Sequence, residues 1–169
     1  MIDEYKKELL QNIRAEISET GSVAAYLQLM GTKKDLNKPV IVHIQTDFVD
    51  EDDKEFFVEE GIPTICKDLK KRQFTPICVS FVAEAWMRVS DSKDKKEVIL
   101  INISTENGDD MYVYNIIRHP YEVDENGELK SKVELSEDEI TSDKDDKPSS
   151  AGGRFSNLYQ KFAKILCNK

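Results

Sequence analysis

The sequence predicts an α+β fold: a mainly antiparallel sheet of four to five strands, helices packed on one face, and a tethered C-terminal amphipathic helix. Three observations carry this. The N-terminal segment repeats apolar residues every three or four positions. From Thr75 the period switches to two and is followed by further strand-like runs at short turns. A polar, Ser/Gly-rich stretch then precedes a last segment of helical period.

Ile2, Tyr5, Leu9, Leu10, Ile13 and Ile17 fall on one helical face, with Asp3 and Glu4 in the first turn, where they suit the helix dipole. Gly21 and Ser22 break the pattern, and Ser22 is placed to cap a second short helix through Val23, Leu27 and Leu29 up to Gly31; a strand is the alternative for this stretch. Pro39–Ile44 is apolar and β-branched at nearly every position, the pattern of an interior strand covered on both faces, which would make His43 a core residue. Asp50–Asp53 suit a helix N-terminus, and Gly61 and Pro63 predict either two short helices or one kinked helix up to Arg72. If that helix makes a crossover between neighbouring strands, the sheet is mixed.

Thr75–Arg88 alternates strictly, with Ile77, Val79, Phe81, Ala83, Ala85 and Met87 on one face. Val98–Ile103 and Met111–Ile117 follow across the polar turn at Ser90–Lys96 and the Asn107-Gly108 turn signal, which makes three strands of an antiparallel meander. Pro120 closes that run, and Asp124–Gly127 leads to an edge strand near Leu129–Leu135. The chain thus divides into an α+β domain at 1–135, an acidic Ser/Gly-rich linker at 136–153, and a basic amphipathic helix at 154–169 bearing Phe155, Leu158, Tyr159, Phe162, Ile165 and Leu166. That helix has three readings: the last core element, a contact for another protein or subunit, or a segment lying on an anionic surface.

The 24 Lys and Arg against 33 Asp and Glu leave a net charge of −9, a field that repels phosphate backbones and disfavours nucleic-acid binding. The charge is uneven: Glu122–Lys147 holds 11 acids and 4 lysines, whereas Arg154–Lys169 holds four cations and no acid. No apolar run approaches the roughly 18 residues of a membrane span, and the N-terminus lacks the basic and apolar regions of a secretory signal, so a cytoplasmic chain is expected. Cys66, Cys78 and Cys167 are odd in number, widely spaced and away from any histidine, which reads as reduced thiols rather than a metal or disulfide framework.

The most site-like feature is the polar side of the meander. Glu84, Trp86 and Arg88 alternate on one strand, and Asn102, Tyr112, Tyr114 and Arg118 come from the next two; an aromatic floor with a carboxylate and guanidinium groups suits a planar or charged ligand. A solvated sheet face with cross-strand aromatic and ion pairs accounts for the same residues. His43 and His119 carry no nucleophile or metal signature around them. The acidic clusters Asp47–Asp53 and Glu137–Asp146 do not match a calcium loop, and Gly152-Gly153 follows no strand, so neither ATP nor NAD chemistry is supported; no metal or organic cofactor is implied.

Val79-Ser80-Phe81-Val82-Ala83-Glu84-Ala85-Trp86-Met87, followed by Lys96-Glu97-Val98-Ile99-Leu100-Ile101, resembles a strand pair of small bacterial and phage proteins. The resemblance spans about Val40–Arg118. It implies a compact α+β domain, carries no activity, and marks Glu84, Trp86 and Glu97. The function expected is a non-enzymatic protein-interaction or assembly protein, with a phage or mobile-element source, using the C-terminal helix and the aromatic sheet face toward a protein partner or a second copy. A small-ligand-binding protein or hydrolase built on Glu84, Trp86, Arg88, Tyr112 and Arg118 is the alternative. Mimicry of DNA by spaced carboxylates is disfavoured by their concentration in the linker.

Overall fold

A computed structural model describes residues 1–88, 93–140 and 155–168. Its elements are α1 (Ile2–Thr20), β1 (Tyr26–Lys33), β2 (Val40–Gln45), α2 (Glu51–Phe56), a π-helical turn (Phe57–Gly61), α3 (Ile62–Lys71), β3 (Phe74–Arg88), β4 (Lys95–Thr105), β5 (Gly108–Arg118), β6 (Glu122–Val123), β7 (Leu129–Lys130), β8 (Val133–Leu135) and α4 (Leu158–Leu166). Six strands form an antiparallel sheet in the order β2-β1-β3-β4-β5-β8, and β6 and β7 form a separate two-stranded ribbon. The α+β class stands, with more strands than the four to five expected. Among the described residues, no helix is long and apolar enough to cross a membrane.

The chain forms two compact units. The first comprises Met1–Ala24, Ala83–Leu100 and Tyr112–Lys147; the second comprises Ala25–Val82, Ile101–Met111 and Pro148–Lys169. In the first, α1 buries Tyr5, Leu9, Ile13 and Ile17, every fourth residue, and ends where Gly21 takes a left-handed φ of 77° and donates its N–H to the Ile17 carbonyl at 2.9 Å. Packed beside α1 is β8, which pairs with β5 through Ile116–Leu135, Ile117–Glu134 and Arg118–Val133. Beyond β8, Ser136 donates its N–H to the Asn115 carbonyl and Ile140 to that of Val113, so the start of the expected linker is tied to β5 at both ends of 136–140. The rest of that linker, 141–153, lies outside the described residues, as do positions 90–92 of the Ser90–Lys96 turn.

In the second unit β1 lies between β2 and β3, its antiparallel neighbours on either side. The stretch expected as a second helix from Ser22 is therefore strand over Tyr26–Lys33. Leu27 and Leu29 on one face and Tyr26 and Met30 on the other are all buried, so cross-strand packing overrides the helical preference of Leu and Met. The expected interior strand at Pro39–Ile44 is instead the outermost strand, β2. Its residues alternate between half-buried and exposed, and His43 is exposed with its ring 4.5 Å from that of Tyr26, not in the core. The crossover through α2 and α3 joins β2 to β3, but β1 separates them, so they do not become parallel neighbours. That helical run is one continuous path with a π-helical turn. It opens on a reciprocal cap, Asp53 N–H to Asp50 Oδ1 and Val49 N–H to Asp53 Oδ2, both at 2.9 Å.

Candidate functional site

Six of the seven residues expected on the sheet face, Glu84, Trp86, Arg88, Tyr112, Tyr114 and Arg118, lie in the first unit, divided between contacts with the α1 segment and exposure. On β5, Tyr112, Tyr114 and Arg118 alternate toward α1. Lys6 Nζ stands 3.3 Å above the Tyr112 ring, Arg14 sits 5.7 Å from that of Tyr114, and Arg118 NH1 donates to the Gly21 carbonyl at 3.0 Å. The face read as open to a ligand is thus roofed by α1 along these side chains. Tyr114 is buried, and that burial, with Glu139 nearby, raises its phenol pKa against the opposing pull of Arg14.

Arg118 is the hub of what remains. Its Nε and NH2 bind both carboxylate oxygens of Glu97, at 2.7 and 2.6 Å, a bidentate cross-strand pair between β5 and β4. Those hydrogen bonds hold the Glu97 carboxyl below its ordinary range, while Glu84 and Tyr121 add to the field that raises Arg118. Glu84 accepts the Val23 N–H at 2.6 Å and so ties the residue after the α1 turn to β3. Two residues along the same strand face stands Trp86, 66% exposed, and then exposed Arg88. Tyr121, Val123 and Leu129 are exposed as well, the last two paired across the β6–β7 ribbon. The sequence reading missed these three; apolar residues flanking a turn between strands too short to bury them were the available signal.

Asn102, expected beside this face, belongs to the second unit. It is buried, and its Nδ2 donates to Asp109 Oδ2 at 3.3 Å and to the Phe155 carbonyl at 3.2 Å. That cluster caps α4. Asn157 N–H donates to Asp109 Oδ2 at 2.7 Å and Tyr159 N–H to Ser104 Oγ at 2.9 Å, so strand side chains satisfy the helix N-terminus. The apolar stripe expected on the last helix faces its own chain: Phe155, Leu158 and Phe162 are buried, and Tyr159, Ile165 and Leu166 are half-buried. The Phe155 ring stacks on Phe81 at 4.5 Å, next to Phe48 and Phe57.

An open cavity of about 480 Å3 in the first unit is lined by Asn115, Ile117, Leu135 and the acids Glu134, Glu137 and Asp138, and includes none of the six expected residues. His119 Nε2 lies 3.3 Å from Glu134, in a polar cluster with Lys132. Burial pushes the Cys66 and Cys78 thiols up to about 11, which leaves both inert as nucleophiles. Among the described residues, no set of three or more His, Cys, Asp or Glu side chains is placed to hold a metal ion. Comparison with known proteins finds no matching family model, no matching curated sequence and no matching solved structure.

Proposed function

We propose that the chain is a protein-interaction or assembly module that engages a protein partner through the Trp86 face of its first unit. The observation that carries this is the two-thirds exposure of the chain's one tryptophan, two residues along the strand face from Glu84, which is hydrogen-bonded to Val23. An indole in water forgoes the large burial that Trp ordinarily contributes, and Trp, Tyr and Arg are the residues that dominate binding energy at protein interfaces. Glu84 on Val23 and Glu97 on Arg118 hold the surroundings in one arrangement, so little ordering is left for binding to impose. Tyr121, Val123 and Leu129 are further exposed apolar side chains of the same unit. The small-ligand or hydrolase reading lacks comparable support, because α1 covers Tyr112 and Tyr114.

Replacing Trp86 with a photo-crosslinking phenylalanine analogue, and in a control Phe56 of the second unit, tests this. The expected result in producing cells is a discrete adduct at position 86 that is missing at 56. Excess native chain should compete it away and Trp86→Ala chain should not. Equal labelling at both positions, or none at 86, overturns the proposal.

A further inference from the structure

The two edges of the sheet are built differently. At the β8 edge, Arg14 donates NH1 to the Leu135 carbonyl at 2.9 Å and NH2 to the carbonyls of Ser136 and Glu137 at 2.7 and 3.1 Å, and the strand is three residues long with a glutamate at its centre. That edge is short, charged and bonded to its own helix. At the other edge β2 reads Val40-Ile41-Val42-His43-Ile44-Gln45, with no Lys, Arg, Asp, Glu or Pro inside it, in a chain whose residues are 34% charged. Ile41 is 47% exposed. Edge strands are ordinarily guarded by charge, proline or a bulge; β2 carries none of these along its length.

The ladder shows which backbone groups face outward. Thr46 N–H donates to the Ala25 carbonyl, one step beyond the Tyr26–Gln45 pair, and bonded pairs alternate in antiparallel strands. Ile44, Val42 and Val40 therefore bond to β1, and the amides and carbonyls of Ile41, His43 and Gln45 point to the open side. We infer that β2 pairs antiparallel with β2 of a second copy of this chain, about a dyad at Val42, which joins the two sheets edge to edge.

This register satisfies both the backbone and the side chains. Ile41 of one copy and His43 of the other, both outward-facing, exchange N–H and C=O bonds twice about the dyad. On the half-buried face Val42 meets Val42, and Val40 meets Ile44, so all three branched residues of that face are paired. Moving the dyad to His43 would set two imidazoles opposite each other and place Val40 against Thr46. Because the strand is neutral, a copy of itself meets no like charge along it despite the net −9. The interface is isologous and closes at two copies.

Sedimentation across a concentration series on the full chain tests this independently of the Trp86 face. The native mass should rise from 19.4 kDa toward twice that value, unaffected by Trp86→Ala. Ile41→Lys with His43→Lys sets like charges opposite each other and should weaken association about tenfold or more. Ile41→Lys with His43→Glu sets opposite charges there and should restore it to within about threefold of native. If a double variant fails to fold, hydrogen exchange of the native chain decides instead: protection of the Ile41 and His43 amides should rise with concentration. A monomer at every concentration, or a dimer indifferent to both charge pairs, overturns the inference.

Discussion

Arg118 shows how one side chain organises the first unit. Its guanidinium joins β5 to Glu97 on β4 and to the carbonyl that ends α1. The Glu97 side chain is one-fifth exposed and that of Arg118 a little under half, so water screens the pair, and about 1 kcal/mol is the scale of its contribution. The folded state lowers the Glu97 pKa, chiefly through the Arg118 hydrogen bonds. A carboxyl shifted this way stabilises the fold above its unfolded pKa of about 4.3, and that contribution disappears as pH falls through the folded value. Glu97→Gln should therefore cost about 1 kcal/mol in urea unfolding at pH 7 and measurably less at an acid pH below the unfolded value. An equal deficit at both pH values would assign the effect to packing rather than charge.

Elements were legible where their signal is local. α1 shows its buried stripe as Tyr5, Leu9, Ile13 and Ile17, and the meander shows its period of two and the Asn107-Gly108 turn, where Gly108 has a φ of 125°. β1 and β2 were misread because position in the sheet decides them. Leu27, Leu29, Tyr26 and Met30 show no alternation when both faces are buried, and nothing within Val40–Gln45 announces an edge. The candidate site divides in the same way: alternation put Glu84, Trp86 and Arg88 on one face, but the cover that α1 lays over Tyr112 and Tyr114 is a long-range contact. Gly31 belongs to this non-local class. It sits at the register shift between β1 and β3, where a Cβ would run into the Thr75 carbonyl oxygen and the Phe74 ring. Gly31→Ala should destabilise the chain by roughly 2–3 kcal/mol in denaturant unfolding, the range of an overpacked core. A loss below about 0.5 kcal/mol, the level of an ordinary surface change, would mean that β1 and β3 separate there without difficulty.

Over the whole chain, the last residues close what earlier ones begin. Phe155 and α4 reach Phe48, Phe57, Cys66, Phe81, Asn102, Ser104 and Asp109, so the second unit is completed only when the C-terminal segment returns to it. Contacts so distant in sequence carry a loop-closure cost that buried apolar surface must offset, and Leu158 and Phe162 supply that surface by being wholly buried. Phe162→Ala should cost about 3–5 kcal/mol, which for a chain of this length lowers the thermal midpoint by roughly 10 °C, whereas Lys164→Ala on the exposed side should leave it within about 1 °C. Ending the chain at Ile140 goes further: Phe81 loses its stacked ring, and Asn102 and Ser104 lose their partners on the α4 segment. Amide protection in β1 and α3 should fall and a hydrophobic dye should bind. If the shortened chain melts as the full one does, the stripe of Phe155, Leu158 and Phe162 is dispensable to its own fold and open to another chain. If it melts early, α4 is committed to the second unit, and contacts with other proteins fall to surfaces that remain exposed when α4 is docked.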